Sequence, residues 1–237
     1  SVGICPIGTQ LKVWPFCFEE YMSDIEPDLS HLDSSKQELV DIIVWRRVMR
    51  KDVPSGWHLF SRKPDRTIGF VQIHQNEEYF IKWSKVARYD RRQWLTCHLN
   101  NTYVIENVSL EEFGEAYKRS TLGRLIRRDM FNSLCLKFQK DPTHITLWGA
   151  RRTSDRKILA GMAIINSPTY HASFYFIGFF RREINKDPVM TGLVDHWFQS
   201  EQKKGIRFLH FGNFWQTGDP KSWKGFSEFK EKFRPQY

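Results

Sequence analysis

From Thr143 onward the hydrophobic and polar positions fall into short, regular blocks. "HITLWGARR" (His144–Arg152) reads as a strand, "TSDRK" as a hairpin turn and "ILAGMAIIN" (Ile158–Asn166) as a second strand. "ASFYFIGFF" (Ala172–Phe180) is almost wholly apolar, which predicts a central strand buried on both faces. In "RREINKDP" the strand pattern stops. Asp187 suits an N-cap and Pro188 the first helical position, and Met190, Leu193, Val194, Trp197 and Phe198 then recur at helical spacing. Gly205 is placed to end that helix, and "IRFLHF" (Ile206–Phe211) predicts one more strand.

Upstream, "SLEE" sets Glu112 three residues after Ser109, a capping box ahead of Phe113, Ala116 and Tyr117. A longer helix is expected over about Thr121 to Lys140, with Leu122, Leu125, Ile126, Met130 and Leu134 as its apolar stripe. Arg124, Arg127, Arg128 and Lys137 lie off that stripe, as a solvated or phosphate-binding face. "GWHLFSRKPDRTIGFVQIHQNEEYFIKWSKVARY" reads as strands, because Leu59, Ile68, Phe70, Val71 and Ile73 alternate with polar residues. "ELVDIIVWRRVMR" fits either a short helix or a buried strand, and Ser1 to Ser35 reads as irregular and acidic. A strand, helix, strand unit after an antiparallel meander makes an α/β (α+β) domain with a mixed central sheet flanked by helices. The best seam lies at Leu99–Asn101, dividing a strand-rich region over 1–100 from a second domain over 101–237.

Charge changes this picture. The 237 residues carry a net charge of +9, with pI near 9.4, so polyanionic partners such as RNA or nucleotide phosphates are favoured. Cys5, Cys17, Cys97 and Cys135 form no C-x-x-C pair and no zinc-ligand spacing, so free thiols are expected and no metal. No window reaches transmembrane length and the start has no signal-peptide pattern, which gives the expectation of a soluble cytoplasmic protein.

The stretch "LWGARRTSDRKILAGMAI", then "KDPVMTGLVDHWFQSEQKKGIRFLHFGNF", then "GFSEFKEKF" resembles the acyltransferase fold shared by GNAT enzymes. Within that superfamily it is similar to the Fem-type aminoacyltransferases that build peptidoglycan cross-bridges. Lys204-Gly205 and Phe211-Gly212 match one part of the family pattern; Gly225, Phe229-Lys230 and Phe233 match its terminal motif. The resemblance covers Ala116 to Phe233, about half the chain. It departs in two places: the chain is short for the two acyltransferase units of that family, which leaves 1–100 as a reduced first unit or something else, and Arg234-Pro235 replaces the glycine usual after the last phenylalanine.

The resemblance implies transfer of an aminoacyl group from aminoacyl-tRNA to an amine, such as a peptidoglycan precursor, without a cofactor. Acyl-CoA enzymes of this fold hold the pyrophosphate on a glycine-rich strand-to-helix turn, whereas "FFRREINKDPVMTG" has no closely spaced glycines and opens its helix with proline. An acyl-CoA-dependent N-acyltransferase and a non-catalytic, RNA-binding module of the same fold stay open as alternatives.

The implied site centres on Lys230, at the aminoacyl end of the tRNA, as an oxyanion-stabilising ammonium with Phe229 beside it. Gly225 belongs to the same motif. Lys224 and Trp223 would supply a phosphate contact and a stacking face. Arg181 and Arg182 follow the central strand where such folds split open and bind ligands. Asp219 is a candidate proton acceptor, although "GDP" is first a turn signature. "KWSKVARYDRRQW" interleaves basic and aromatic residues in the manner of single-stranded RNA sites, with Lys85, Arg88 and Tyr89 as contacts beside Arg124 and Arg128. His210 reads as a structural histidine within a strand.

Overall fold

The computed structural model describes residues 9–13, 16–22, 42–46, 53–58, 67–121, 124–167, 171–184, 186–217, 219 and 221–237. Contacts group the chain into two compact units, one of residues 1–64 with 129–140 and the other of residues 65–128 with 141–237. This division differs from the seam expected at Leu99–Asn101, because a strand and a helix upstream of residue 100 belong to the larger unit's sheet and core.

The smaller unit contains a three-stranded sheet of β1 (Thr9–Val13), β2 (Phe16–Met22) and β3 (Ile42–Arg46). β1 runs antiparallel to β2, and β3 runs parallel to β2. "IIVWR" is thus a strand rather than a helix, and the stretch expected to be irregular holds two strands. β-branched Ile42, Ile43 and Val44 favour the pleated chain.

The larger unit is built on a six-stranded mixed sheet in the order β4 (Ile68–Gln72), β9 (Phe208–Asn213), β8 (Ala172–Phe180), β7 (Ile158–Ser167), β6 (Ile145–Arg152), β5 (Tyr103–Asn107). Every neighbouring pair is antiparallel except β8 and β9, which are parallel and joined through α4 (Val189–Lys203). Its other α-helices are α1 (Lys85–Leu99), α2 (Leu110–Lys118) and α5 (Lys224–Glu231), while α3 (Arg124–Lys140) is divided between the two units.

Both sheet faces are covered. Ala160, Met162 and Ile164 of β7 join a core with Leu193, Val194, Trp197 and Phe198 of α4 and Ala87 and Trp94 of α1. Gly161, between them, turns to the opposite face, where a side chain would collide with Phe179 and with Phe113 of α2. That two-sided burial is why β7 and β8 carry near-continuous apolar runs. The capping box of α2 forms as expected, with Ser109 Oγ accepting from the Glu112 N–H at 3.1 Å.

Two expected features change. Of the strands expected across "GWHLF…KVARY", the described residues form only Ile68–Gln72. Leu59 lies outside the described residues. Lys85–Leu99 is a helix capped by Ser84, whose Oγ accepts from Ala87 N–H at 3.2 Å. Its buried residues, Ala87 and Trp94, are two turns apart, and the helix-favouring Lys, Arg, Gln and Leu between them obscure the period. At α4 the N-cap is Pro188 with a non-helical ψ of 44°, not Asp187. Asp187 accepts the Tyr103 hydroxyl hydrogen bond at 2.5 Å instead, tying the helix start to β5. Gly205 ends the helix in the left-handed region, at φ 74°.

Candidate functional site

The parallel pair β8–β9 holds together for only three residues. Ala172, Ser173 and Phe174 oppose Phe208, Leu209 and His210, and pairing stops there although the strands continue to Phe180 and Asn213. Each strand bulges just past this point. Phe176 is the extra residue of β8 against β7, and Phe211 is the extra residue of β9 against β4, next to Gly212 at φ 71°. The bulges bend the strands apart and leave a split at their carboxyl ends. A crevice at the carboxyl ends of parallel strands is where α/β sheets place their ligands.

The C-terminal segment supplies one lip of this split. α5 is fixed from below by aromatic packing: Phe233 stacks on Phe211 at 5.5 Å and meets Trp83 edge-on at 4.8 Å, and Phe229 packs edge-on against Phe233 at 5.2 Å. Ser227 Oγ accepts from Trp215 N–H at 2.6 Å, clamping the helix to the chain leaving β9. Phe229 and Phe233, four residues apart, therefore face the core. Lys230 is rotated from them toward the end of β9.

Lys230 Nζ donates to the Asn213 carbonyl at 3.0 Å and lies 5.4 Å from the Phe214 ring centroid and 5.6 Å from that of Tyr175 on β8. Among the described residues no carboxylate lies within ion-pairing distance of it. Desolvation by the surrounding rings lowers its pKa to about 8. The other lysines of the segment differ. Lys232 pairs with Asp90 at 3.3 Å, Lys224 reaches Glu228 at 3.8 Å, and Lys221 is exposed.

The remaining expected residues divide into those near the split and those elsewhere. Phe229 is half-buried beneath Lys230. Lys224 lies 5.8 Å from the Trp215 ring, and Trp223 is half-buried at the start of α5. Gly225 is exposed, and a side chain there would meet nothing within 4 Å, so no close approach requires glycine. Asp219 closes a turn: its Oδ2 accepts from Gln216 N–H at 3.1 Å and its carbonyl accepts from Trp215 Nε1 at 3.2 Å. Arg181 stands at the end of β8, buried and paired with Glu183, with its Nε unpartnered among the described residues; Arg182 beside it is exposed.

Lys85 and Tyr89 are exposed on α1 and Arg88 is half-buried there. Arg128 is exposed on α3, and the side chain of Arg124 lies outside the described residues. α1 and α5 meet end to end, with Ser84 N–H donating to the Lys232 carbonyl at 2.9 Å. His210 is buried with both ring nitrogens unpartnered among the described residues, stacked on Phe174 at 4.7 Å, and burial lowers its pKa to about 4. It is a neutral ring in an aromatic layer, not a hydrogen-bonded one.

Three contributors are absent from the sequence expectations: Tyr175, Phe214 and the Asn213 carbonyl. The density of aromatics in "FYFIGF" was the available signal, but a bulge has no period and a carbonyl has no side-chain signature.

No protein-family model and no curated protein matches the sequence. Among solved structures, the chain is similar to FemX with TM-score 0.55 and 10% identity, covering 71% of this chain and 58% of that one. The C-terminal domain of a putative lysylphosphatidylglycerol synthetase from Agrobacterium fabrum gives TM-score 0.49 and 13% identity, over 72% and 57%. PaiA N-acetyltransferase from Thermoplasma acidophilum, in complex with coenzyme A, gives 0.34 and 14%, over 44% and 74%. The chain thus spans 57–58% of the length of the first two. The mixed sheet, with its one parallel pair split at the carboxyl ends, is the fold this chain shares with FemX.

Proposed function

We propose that the protein transfers an aminoacyl group from an aminoacyl-tRNA ester to an amine, with a peptidoglycan precursor as the acceptor class, and that Lys230 is its catalytic residue. The observation that carries this is Lys230 itself: an ammonium desolvated by aromatic rings, hydrogen-bonded among the described residues only to the Asn213 carbonyl, at the lip of the strand split. Low-dielectric surroundings strengthen its attraction for a developing oxyanion.

In this reading the acceptor nitrogen attacks the ester carbonyl, and the negative charge on the carbonyl oxygen faces Lys230. The open backbone edges of β8 and β9 offer further N–H donors to that oxygen. The C–N bond forms and the C–O bond to the ribose breaks. A pKa of about 8 lets Lys230 give a proton to the leaving oxygen and recover one from the newly attached amine. The basic, Tyr89-bearing face of α1 lies beside α5 and suits the tRNA backbone and an unstacked base. Arg181 and Arg182 stand on the opposite lip.

The test is transfer of labelled amino acid from charged tRNA to a peptidoglycan precursor by wild type and Lys230→Ala. Loss of one oxyanion donor lowers the turnover rate on the order of 10² to 10³-fold. Unchanged transfer in the variant removes Lys230 from the mechanism. No transfer from charged tRNA, with transfer from acetyl-CoA, rejects the donor.

A further inference from the structure

One wall of the split is already filled. Tyr175 is the first β8 residue beyond the last β8–β9 pair. The bulge at Phe176 places Tyr175 opposite Ile164 and Gly178 opposite Met162, both on the α4 side of the sheet. Without the bulge, residues three apart on a strand would face opposite sides. With it, the Tyr175 ring lies down along its own strand. Its hydroxyl occupies the place where a Gly178 side chain would be, and the methyl group of Met190, the second residue of α4, lies 3.2 Å from that same point. Lys230 Nζ lies over the same ring, 5.6 Å from its centroid. One side chain thus neighbours both the ammonium on α5 and the first turn of α4.

The two candidate donors differ in shape at this place. An acyl-CoA carries its pyrophosphate on a long thin arm, and a pyrophosphate seeks N–H groups at a helix N-terminus. α4 is the helix that starts beside the split, so an arm joining its N-terminus to Lys230 must run along β8 past Met190, Gly178 and Tyr175. The tyrosine ring fills that path. An aminoacyl ester of tRNA leads with its acyl group and keeps its phosphates outside the lip, so it needs no groove along β8. We propose that Tyr175, seated against Gly178, determines donor specificity by closing the split to the thioester arm of acyl-CoA. Gly178 is the permissive half of the device, because any side chain there would expel the ring.

This inference rests on the acyl-transfer reading but is tested by binding, so the two fail separately. Coenzyme A is added to wild type, Tyr175→Ala, Tyr175→Leu and Tyr175→Phe, with thermal melting and calorimetry as readouts. The expected result is no binding by wild type or by Tyr175→Phe, which keeps the ring. The opened variants, Ala or Leu, bind coenzyme A at least about tenfold more tightly. Coenzyme A binding by wild type overturns the inference without recourse to any variant. So does a folded opened variant that binds no better than wild type. Absence of aminoacyl transfer alongside the expected binding pattern would overturn the donor reading and leave the role of Tyr175 standing.

Discussion

Replacing Lys230 by methionine should stabilise the protein at neutral pH while abolishing its proposed activity. The ordinary lysine pKa of 10.5 falls to about 8 in the folded chain, and each pKa unit is worth about 1.4 kcal/mol, giving a ceiling of about 3 kcal/mol for holding this ammonium charged. The side chain is half-buried, so solvent screens part of that cost. About half the ceiling, 1–2 kcal/mol, is the expected gain on substitution at pH 7. The sign follows from proton counting. Between pH 8 and 10.5 the folded lysine has lost its proton and the unfolded one keeps it, so wild-type stability rises with pH through that window. The methionine variant has no such rise, and its advantage shrinks toward zero by the top of the window. Urea unfolding of both proteins at several pH values from neutral to alkaline measures this directly. A variant less stable than wild type at pH 7, or an advantage that does not decline with pH, would refute the desolvation account. A stabilised, inactive variant is what a strained functional residue gives.

Two further substitutions test the packing around the site. Arg234 adopts φ 51°, so Arg234→Gly removes left-handed strain and should raise stability by about 1 kcal/mol in urea unfolding. Gly192 of α4 lies against the Trp94 ring of α1, so Gly192→Ala overpacks that contact and should cost about 1–3 kcal/mol, read as a lower midpoint in thermal melting.

How much of this was legible beforehand depended on the kind of signal. The hairpin β6–β7, the apolar β8 and the amphipathic α4 announced themselves because burial on both faces or on one helical stripe leaves a period in the sequence. α1 did not. Its two buried residues are too sparse to reveal a stripe among Lys85, Arg88, Arg91 and Arg92, and tertiary contacts with α4 do the work that patterning would otherwise show. Position 234 illustrates a milder failure. Arg234 sits at φ 51°, and nothing in an arginine announces a left-handed turn. Asp219 shows the reverse: the residue type suggested chemistry, and the geometry is that of a turn.

The lysine–aromatic density of "GFSEFKEKF" was legible as a motif but not as a mechanism. Four lysines in the C-terminal segment look alike in sequence, and their surroundings separate them. Phe229 and Phe233, spaced one helical turn apart, must both face the core, and their burial fixes the rotation of α5 about its axis. With the rotation fixed, the residue after Phe229 can point only toward the end of β9, where the chain turns into Phe214. The aromatics therefore do two things at once. They anchor the helix, and through Tyr175 and Phe214 they withdraw water from the ammonium that the helix presents. Lys224 and Lys232, elsewhere in the segment, are paired with carboxylates instead. The same tyrosine that desolvates Lys230 also lies across the route to α4. The chemical poise of the lysine and the exclusion of a thioester arm thus have a common physical origin in one ring held flat by one bulge.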